Sequence, residues 1–275
     1  MSVPLREFQL FQLGILKEFI RLCEKNDLRY FAAYGTLLGA VRHQGFIPWD
    51  DDIDLWMPAK DYVRFRDVCK TQLKPPYYLQ SHETNLQNFI SWQRIGREDT
   101  TSLLLEMADI HAEWGICIDI FPLFPCKLDD AGKRQAQKTY RTFNRLSGKY
   151  LYKHDAKSQT GISKAYHQVM GLCPDTLNKS LWKRTEEKLI AANPGDDGFY
   201  DDYCFLEQSW FEKTVSLPFE DVQLPAPAGF DRFLAAYYGN DWSEIPPESK
   251  RVAHSGGGSD TVLVLLDSPY KKHLR

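Results

Sequence analysis

Apolar residues recur at helical spacing over residues 4–25, where Phe8, Phe11, Ile15, Leu16, Phe19 and Leu22 share one face, so the chain is expected to open with an amphipathic helix. "LRYFAAYG" (28–35) then switches to a short aromatic run and reads as a strand closed by Gly35. "TLLGAVR" behind that glycine reads as a helix with Thr36 near its N-cap. "IDLWMP" predicts a second strand stopped by Pro58, and "AKDYVRFRDVCKTQL" a helix ended by the proline pair at 75–76. Strand character returns around 89–95, and "GICIDIFPL" predicts an apolar strand bounded by Gly115 and Pro122.

Beyond about residue 128 the pattern turns helical. Within 131–150, Ala136, Tyr140, Phe143, Leu146 and Tyr150 fall on one face, and Arg134, Lys138, Arg141, Arg145 and Lys149 form a nearly all-positive stripe on the other. That stripe either docks an anionic acceptor or pairs with acidic loops such as Asp196 and Asp197 or Asp201 and Asp202. A second helix is expected over 176–192. "LPFEDVQLPAP" reads as extended, "AGFDRFLAAYYG" as a helix ended by Gly239, and "SGGGS" (255–259) as flexible. The expected fold class is α/β in the α+β sense. A mixed core spans 1–127, a helical annex 128–195, and a C-terminal segment over 196–275 packs back on the core.

Composition narrows the function classes. The 275 residues carry enough apolar side chains for a sizeable core, and a formal net charge of −3 argues against a nucleic-acid partner. Six cysteines without a CxxC pair argue against a zinc module or a disulfide framework and fit a reducing cytosol. Glu7, Lys17, Glu18 and Arg21 interrupt any apolar leader, and no stretch reaches the roughly 20 apolar residues of a spanning helix. A cytoplasmic location is expected, with peripheral contact at the inner face of a membrane left open.

The chemistry concentrates in "YGTLLGAVRHQGFIPWDDDIDLWM" (34–57). On a strand, Asp52 and Asp54 point the same way, about 7 Å apart at Cα, and their side chains converge as a hard divalent cation requires. Gly35 and Thr36, at a strand–helix junction seventeen residues before Asp52, offer backbone N–H groups and a helix dipole to a phosphate. A phosphate cradle, a short helix and then a DxD strand suit metal-assisted phosphoryl chemistry. The bland alternative is a solvated acidic turn.

This stretch, followed by "DYVRF", closely resembles the LicD family, related to fukutin and fukutin-related protein. Weaker similarity runs through "QRIGREDTT", "CIDIFPL" and "AAYYGNDWSEIPPESKRVAH". The resemblance implies a nucleotidyltransferase-like mixed β-sheet core flanked by helices. It implies transfer of a phospho-alcohol group such as phosphocholine from a CDP-alcohol such as CDP-choline. The acceptor would be a cell-surface glycan or polysaccharide, lipopolysaccharide or teichoic acid among them, and CMP would be released. Mg2+, or Mn2+ in its place, is the expected cofactor. By the same resemblance Gly35 and Thr36 match the phosphate-binding loop, Asp52 and Asp54 the metal pair, and Asp119 in "IDIF" the third catalytic and metal-binding carboxylate. Arg42 and His43 are candidates for donor phosphate, with Arg42 pairing to an Asp of the cluster as the alternative. Arg94 and Arg97 are candidates for the diphosphate, with surface solvation as the alternative. His254 is a late candidate, and Trp49 is expected to pack beneath the acidic loop. Two rival readings stand beside this one: a DxD glycosyltransferase using a nucleotide sugar, and a non-catalytic nucleotide- or metal-binding module.

Overall fold

In the computed structural model, which describes residues 3–85, 87–150, 171–251 and 262–275 together with Gly161, Ala165 and Val169, the acid-bearing segments lie side by side in one sheet. Its strands are β1 (Phe31–Ala32), β2 (Asp54–Pro58), β3 (Tyr77–Gln80), β4 (Gln93–Arg97) and, after a separate β5 (Thr101–Leu104), β6 (Cys117–Cys126). The spatial order is β1-β2-β6-β4-β3, with β2 and β6 parallel and the other pairs antiparallel. The far half of β6 pairs with β7 (Gly198–Tyr200), which pairs with β8 (Phe205–Glu207), completing seven strands. The mixed α/β fold expected from the patterning is the one observed.

Buried faces explain why these segments are strands. Leu55, Trp56 and Met57 of β2 and Ile118, Ile120 and Leu123 of β6 are almost wholly buried, as expected for central strands covered on both sides. Helices α1 (Leu5–Lys25) and α3 (Ala59–Gln72) cover one face, where Phe19 and Phe65 meet with ring centroids 5.1 Å apart. The other face carries the acids. It is flanked by α2 (Tyr34–His43), by the turn joining β7 to β8, and by the helix Phe230–Tyr238.

Helices α4 (Asp130–Ser147) and α5 (Asp175–Ile190) pack on each other and on the end of β6, burying Tyr140, Phe143, Leu146, Trp182 and Leu189 with Phe124 and Tyr200. Downstream, the hairpin β9 (Thr214–Phe219) and β10 (Val222–Pro227) packs on α2 and β1, and α6 (Phe230–Tyr238) packs on α2. Strand β11 (Val262–Leu265) pairs with β5. Among the described residues no helix is long and apolar enough to cross a membrane.

Four local expectations need correction. The strand expected over 28–35 shrinks to two residues, because the helix begins at Tyr34. Ala33 is the N-cap, and Thr36 lies inside the first turn. Pro122 does not end β6. The Asp119 N–H is bonded to Ile53 on the β2 side, so alternation turns the missing Pro122 N–H toward β4, whose ladder has already ended at Ile120. Lys149 leaves the basic stripe: it is buried and bonded to Asp175, while Arg134, Lys138, Arg141 and Arg145 stay exposed. Three of the four acids offered to the stripe have other contacts or are buried. Asp196 and Asp197 accept backbone N–H groups of Asn193 and Leu128, and Asp201 is fully buried.

Candidate active site

Strand register sets the site. The parallel β2–β6 pairing puts Asp54 beside Asp119, and the antiparallel β4–β6 pairing puts Asp119 beside Arg94. Residues paired across a ladder point to the same face, so acid, acid and base form one row across three strands, about 5 Å apart at each step. Arg94 donates to Asp119 twice, Nε to Oδ1 at 2.6 Å and Nη2 to Oδ2 at 3.3 Å.

Asp52 precedes β2 and Asp50 ends the turn before it, with its N–H bonded to the carbonyl of Ile47. Buried Gln9 of α1 donates to the carbonyls of Ile47 and Asp50 and so pins the acidic loop from beneath. Thr36 Oγ1 accepts the Asp54 N–H at 2.9 Å, which anchors the start of β2 to the first turn of α2. Gly35 makes room for the loop: a Cβ there would lie 2.5 Å from Asp50 Oδ2.

Tyr34, just before that glycine, adopts φ of 40°, a left-handed conformation that is unfavourable for a bulky side chain. Its hydroxyl donates to the carboxylate of Asp201. Asp201 is wholly buried and also accepts Trp56 Nε1–H at 2.6 Å and the N–H groups of Tyr203 and Cys204 at 3.2 and 3.1 Å. This network fastens α2, β2 and the 201–204 turn to one another.

Together these elements surround a cleft of about 530 Å3. Asp50, Asp52, Asp54 and Asp119 line it with Gly35 and Arg42. Tyr203, Tyr237, Tyr238, Asp241, Trp242, Glu244 and Lys250 line it as well. Burial, then the charges of Asp52, Asp119 and Asp50, hold the Asp54 carboxyl well above the usual carboxylate range. Burial and neighbouring Asp51 push Asp50 up to about 6.

Asp50, Asp52, Asp54 and Asp119 offer hard oxygen donors of the kind a divalent cation takes. The tightest trio among the described residues is Asp50, Asp51 and Asp52, with one oxygen from each within 4.8 Å of the others. Asp51 is buried and does not line the cleft, and Asp119 has turned both oxygens to Arg94. Asp50, Asp52 and Asp54 line the cleft, while Asp119 is held there in a salt bridge with Arg94.

The structure brings Asp52, Asp54, Asp119, Gly35 and Arg42 together at the cleft and puts Thr36 just behind it. Arg42 pairs with none of these acids. Its Nη1 donates to the carbonyls of Trp242 and Glu244, tying α2 to the C-terminal segment, and its Nε donates to His43. Arg94 is committed to Asp119. Arg97, three residues further on, points to the opposite face, where it pairs with Asp99 and lies over the ring of Phe11. Trp49 lines the cleft with the Arg251 guanidinium 5.2 Å from its ring. His254 lies outside the described residues. Sequence patterns do not assign Gln9, Asp201, Tyr203, Tyr237 or Lys250 a place at the cleft. Only "DDYC", two acids inside an aromatic run, hints that a carboxylate is buried there.

Residues 27–145 match the family model described as LicD/FKTN/FKRP, nucleotidyltransferase domain. Over 261 aligned residues the chain is 27% identical to the lipopolysaccharide cholinephosphotransferase LicD of Haemophilus influenzae, covering 92% of this chain and 96% of that protein. Two shorter matches are to uncharacterised proteins: 43% identity over 63 residues in Rickettsia typhi (23% of this chain, 20% of that protein), and 41% over 78 residues in Rickettsia prowazekii (28% of each).

Proposed function

The chain belongs to the LicD family, and on that premise we propose that it transfers phosphocholine from a CDP-activated donor to a hydroxyl of lipopolysaccharide or a related cell-surface glycan, releasing CMP. The observation that carries the reading is the acid row. Asp54 and Asp119 are paired across β2 and β6 and share a cleft with Asp50 and Asp52, within a chain aligned to nearly the whole length of a cholinephosphotransferase.

The residues divide the work. Asp52 and Asp54, with Asp50 beside them, would hold Mg2+, which supplies positive charge to a bound diphosphate and to the departing phosphate. Thr36 fixes Asp54 through its N–H, and Gly35 keeps the start of α2 open to the acidic loop. Lys250, which also lines the cleft, adds a cation for the donor's phosphates. Arg94 occupies only two of the lone-pair positions of Asp119, leaving that carboxylate able to accept a proton at the cleft. The acceptor oxygen bonds to the phosphorus that carries choline, the bond from that phosphorus to CMP breaks, and the hydroxyl proton passes to Asp119.

The same reading puts the enzyme in the cytoplasm, peripheral to the inner face of a membrane when its acceptor is lipid-linked. The exposed Arg134, Lys138, Arg141 and Arg145 suit that contact. A panel of CDP-alcohols and nucleotide sugars incubated with Mg2+ tests the chemistry. CMP released from CDP-choline is the expected result. Nucleoside diphosphate released from a nucleotide sugar would favour the glycosyltransferase instead.

A further inference from the structure

Beside the acids, the cleft has a second wall that phosphate chemistry does not use. Tyr34, Phe121, Tyr203 and Tyr237, from four different elements, all line it. Their rings stand at steep angles to one another: Tyr203 to Phe121 at 86° with centroids 5.7 Å apart, Tyr203 to Tyr34 at 72° and 5.6 Å, and Tyr34 to Phe121 at 82° and 5.7 Å. Tyr237 closes on Tyr34 at 56° and 5.1 Å. Two of the rings are large apolar surfaces left open, Tyr203 at 54% exposure and Tyr237 at 41%, so the core does not explain them. Asp201 fixes the first by accepting the Tyr203 N–H, and Phe233 stacks against the second at 5.4 Å and 27°.

We propose that Tyr203 and Tyr237, backed by Phe121 and Tyr34, enclose the quaternary ammonium of the donor's choline and make the enzyme selective for a cationic alcohol. The inference rests on the phosphocholine reading above. Rings meeting at near right angles form a corner, which fits a compact, rounded trimethylammonium group; a nucleobase needs one flat open face. The electron-rich ring faces attract a cation that is too bulky and too weakly hydrated to compete for the carboxylates as Mg2+ does. Asp54 and Asp119 lie within electrostatic reach of Tyr203, and Asp54 within reach of Tyr237, which deepens the negative potential at that corner. The acid row and the aromatic corner thus share one cleft, as the two ends of a phosphocholine group require.

The test is a calorimetric comparison of CDP-choline with its uncharged carbon isostere, CDP-3,3-dimethylbutanol, in the presence of Mg2+. Wild-type protein is expected to prefer CDP-choline by about tenfold or more. Tyr203→Leu and Tyr237→Leu should each shrink that preference while the affinity for CMP stays unchanged, and Tyr203→Phe should keep it, because the ring and not the hydroxyl is responsible. Both tyrosines are substantially exposed, so the variants are expected to melt close to wild type. Equal affinity for the two ligands, or a preference that survives both leucine variants, overturns the aromatic pocket and leaves the phosphocholine reading intact. If neither ligand binds while a nucleotide sugar does, the phosphocholine reading fails, and this inference with it.

Discussion

Arg94 grips Asp119 through two hydrogen bonds, and on the other side of Asp119, in the same row, stands Asp54. The cleft beside this pair is lined by Asp50, Asp52, Asp54 and Asp119, with Asp241 and Glu244 further along it and Arg42 and Lys250 as its cations. Mutual repulsion among these acids is what the proposed cation would relieve.

If Arg94 chiefly compensates Asp119, removing it should leave a partly buried charge without its partner. Arg94→Met is expected to lower stability by about 2–4 kcal/mol, discounted from the cost of breaking a fully buried pair. Adding Asp119→Asn should recover most of the loss. Urea unfolding of both single variants and the double variant measures the coupling. Simple additivity would mean that the two side chains do not depend on each other.

Thr36 is expected to act through Asp54. Thr36→Val leaves the Asp54 N–H without its acceptor, at a cost of about 1–2 kcal/mol, and Thr36→Ser should restore it. Metal affinity should fall in parallel with stability. A valine variant as stable as wild type, with unchanged Mg2+ affinity, would contradict the anchoring role.

Gly35→Ala separates local room from helix preference. Alanine favours the helix, yet its Cβ would meet Asp50 Oδ2 at 2.5 Å and displace the acidic loop. Melting temperature should change little while donor affinity with Mg2+ falls severalfold. Unchanged affinity would show that the loop adapts without consequence.

Much of the candidate site is legible in the sequence. Reading 52–54 as strand puts two acids on one face, although β2 begins only at Asp54 and Asp52 lies in the loop before it. The family resemblance supplies Asp119 in "CIDIF" as a third. What local pattern could not supply was register. Nothing in "QRIGR" says that β4 runs antiparallel to β6 with Arg94 opposite Asp119, so from sequence Arg94 reads as a diphosphate ligand or a solvated surface residue. Thr36 reads as a cap for a similar reason, since its true partner is an N–H eighteen residues away. The aromatic wall was hidden altogether. Tyr203 and Tyr237 reach the cleft only because β7 extends the sheet along β6 and α6 packs on α2.

His82 offers a pH test away from the site. It is buried against Trp182, ring centroids 5.0 Å apart, and its Nε2 faces Asn178 Nδ2 at 3.3 Å. Burial, then Lys179, lowers it to about 4. The unfolded chain takes up this proton below about 6.5 while the native protein does so only near 4, so the contribution is intact above the first value and lost as pH falls toward the second. Between pH 7 and about 4.5, wild type should lose on the order of 2 kcal/mol more stability than His82→Gln. Parallel stability profiles for the two proteins would contradict this.

The most direct test is a calorimetric titration of CDP-choline into wild type and Asp54→Asn, each with Mg2+ and with EDTA. Wild type is expected to bind the donor with Mg2+ and to lose most of that affinity in EDTA. Asp54→Asn should bind weakly and equally in both, while melting no lower than wild type in EDTA because one repelling charge is gone. Wild-type affinity that is the same with Mg2+ and with EDTA would contradict the claim that the acid row holds a cation for the donor.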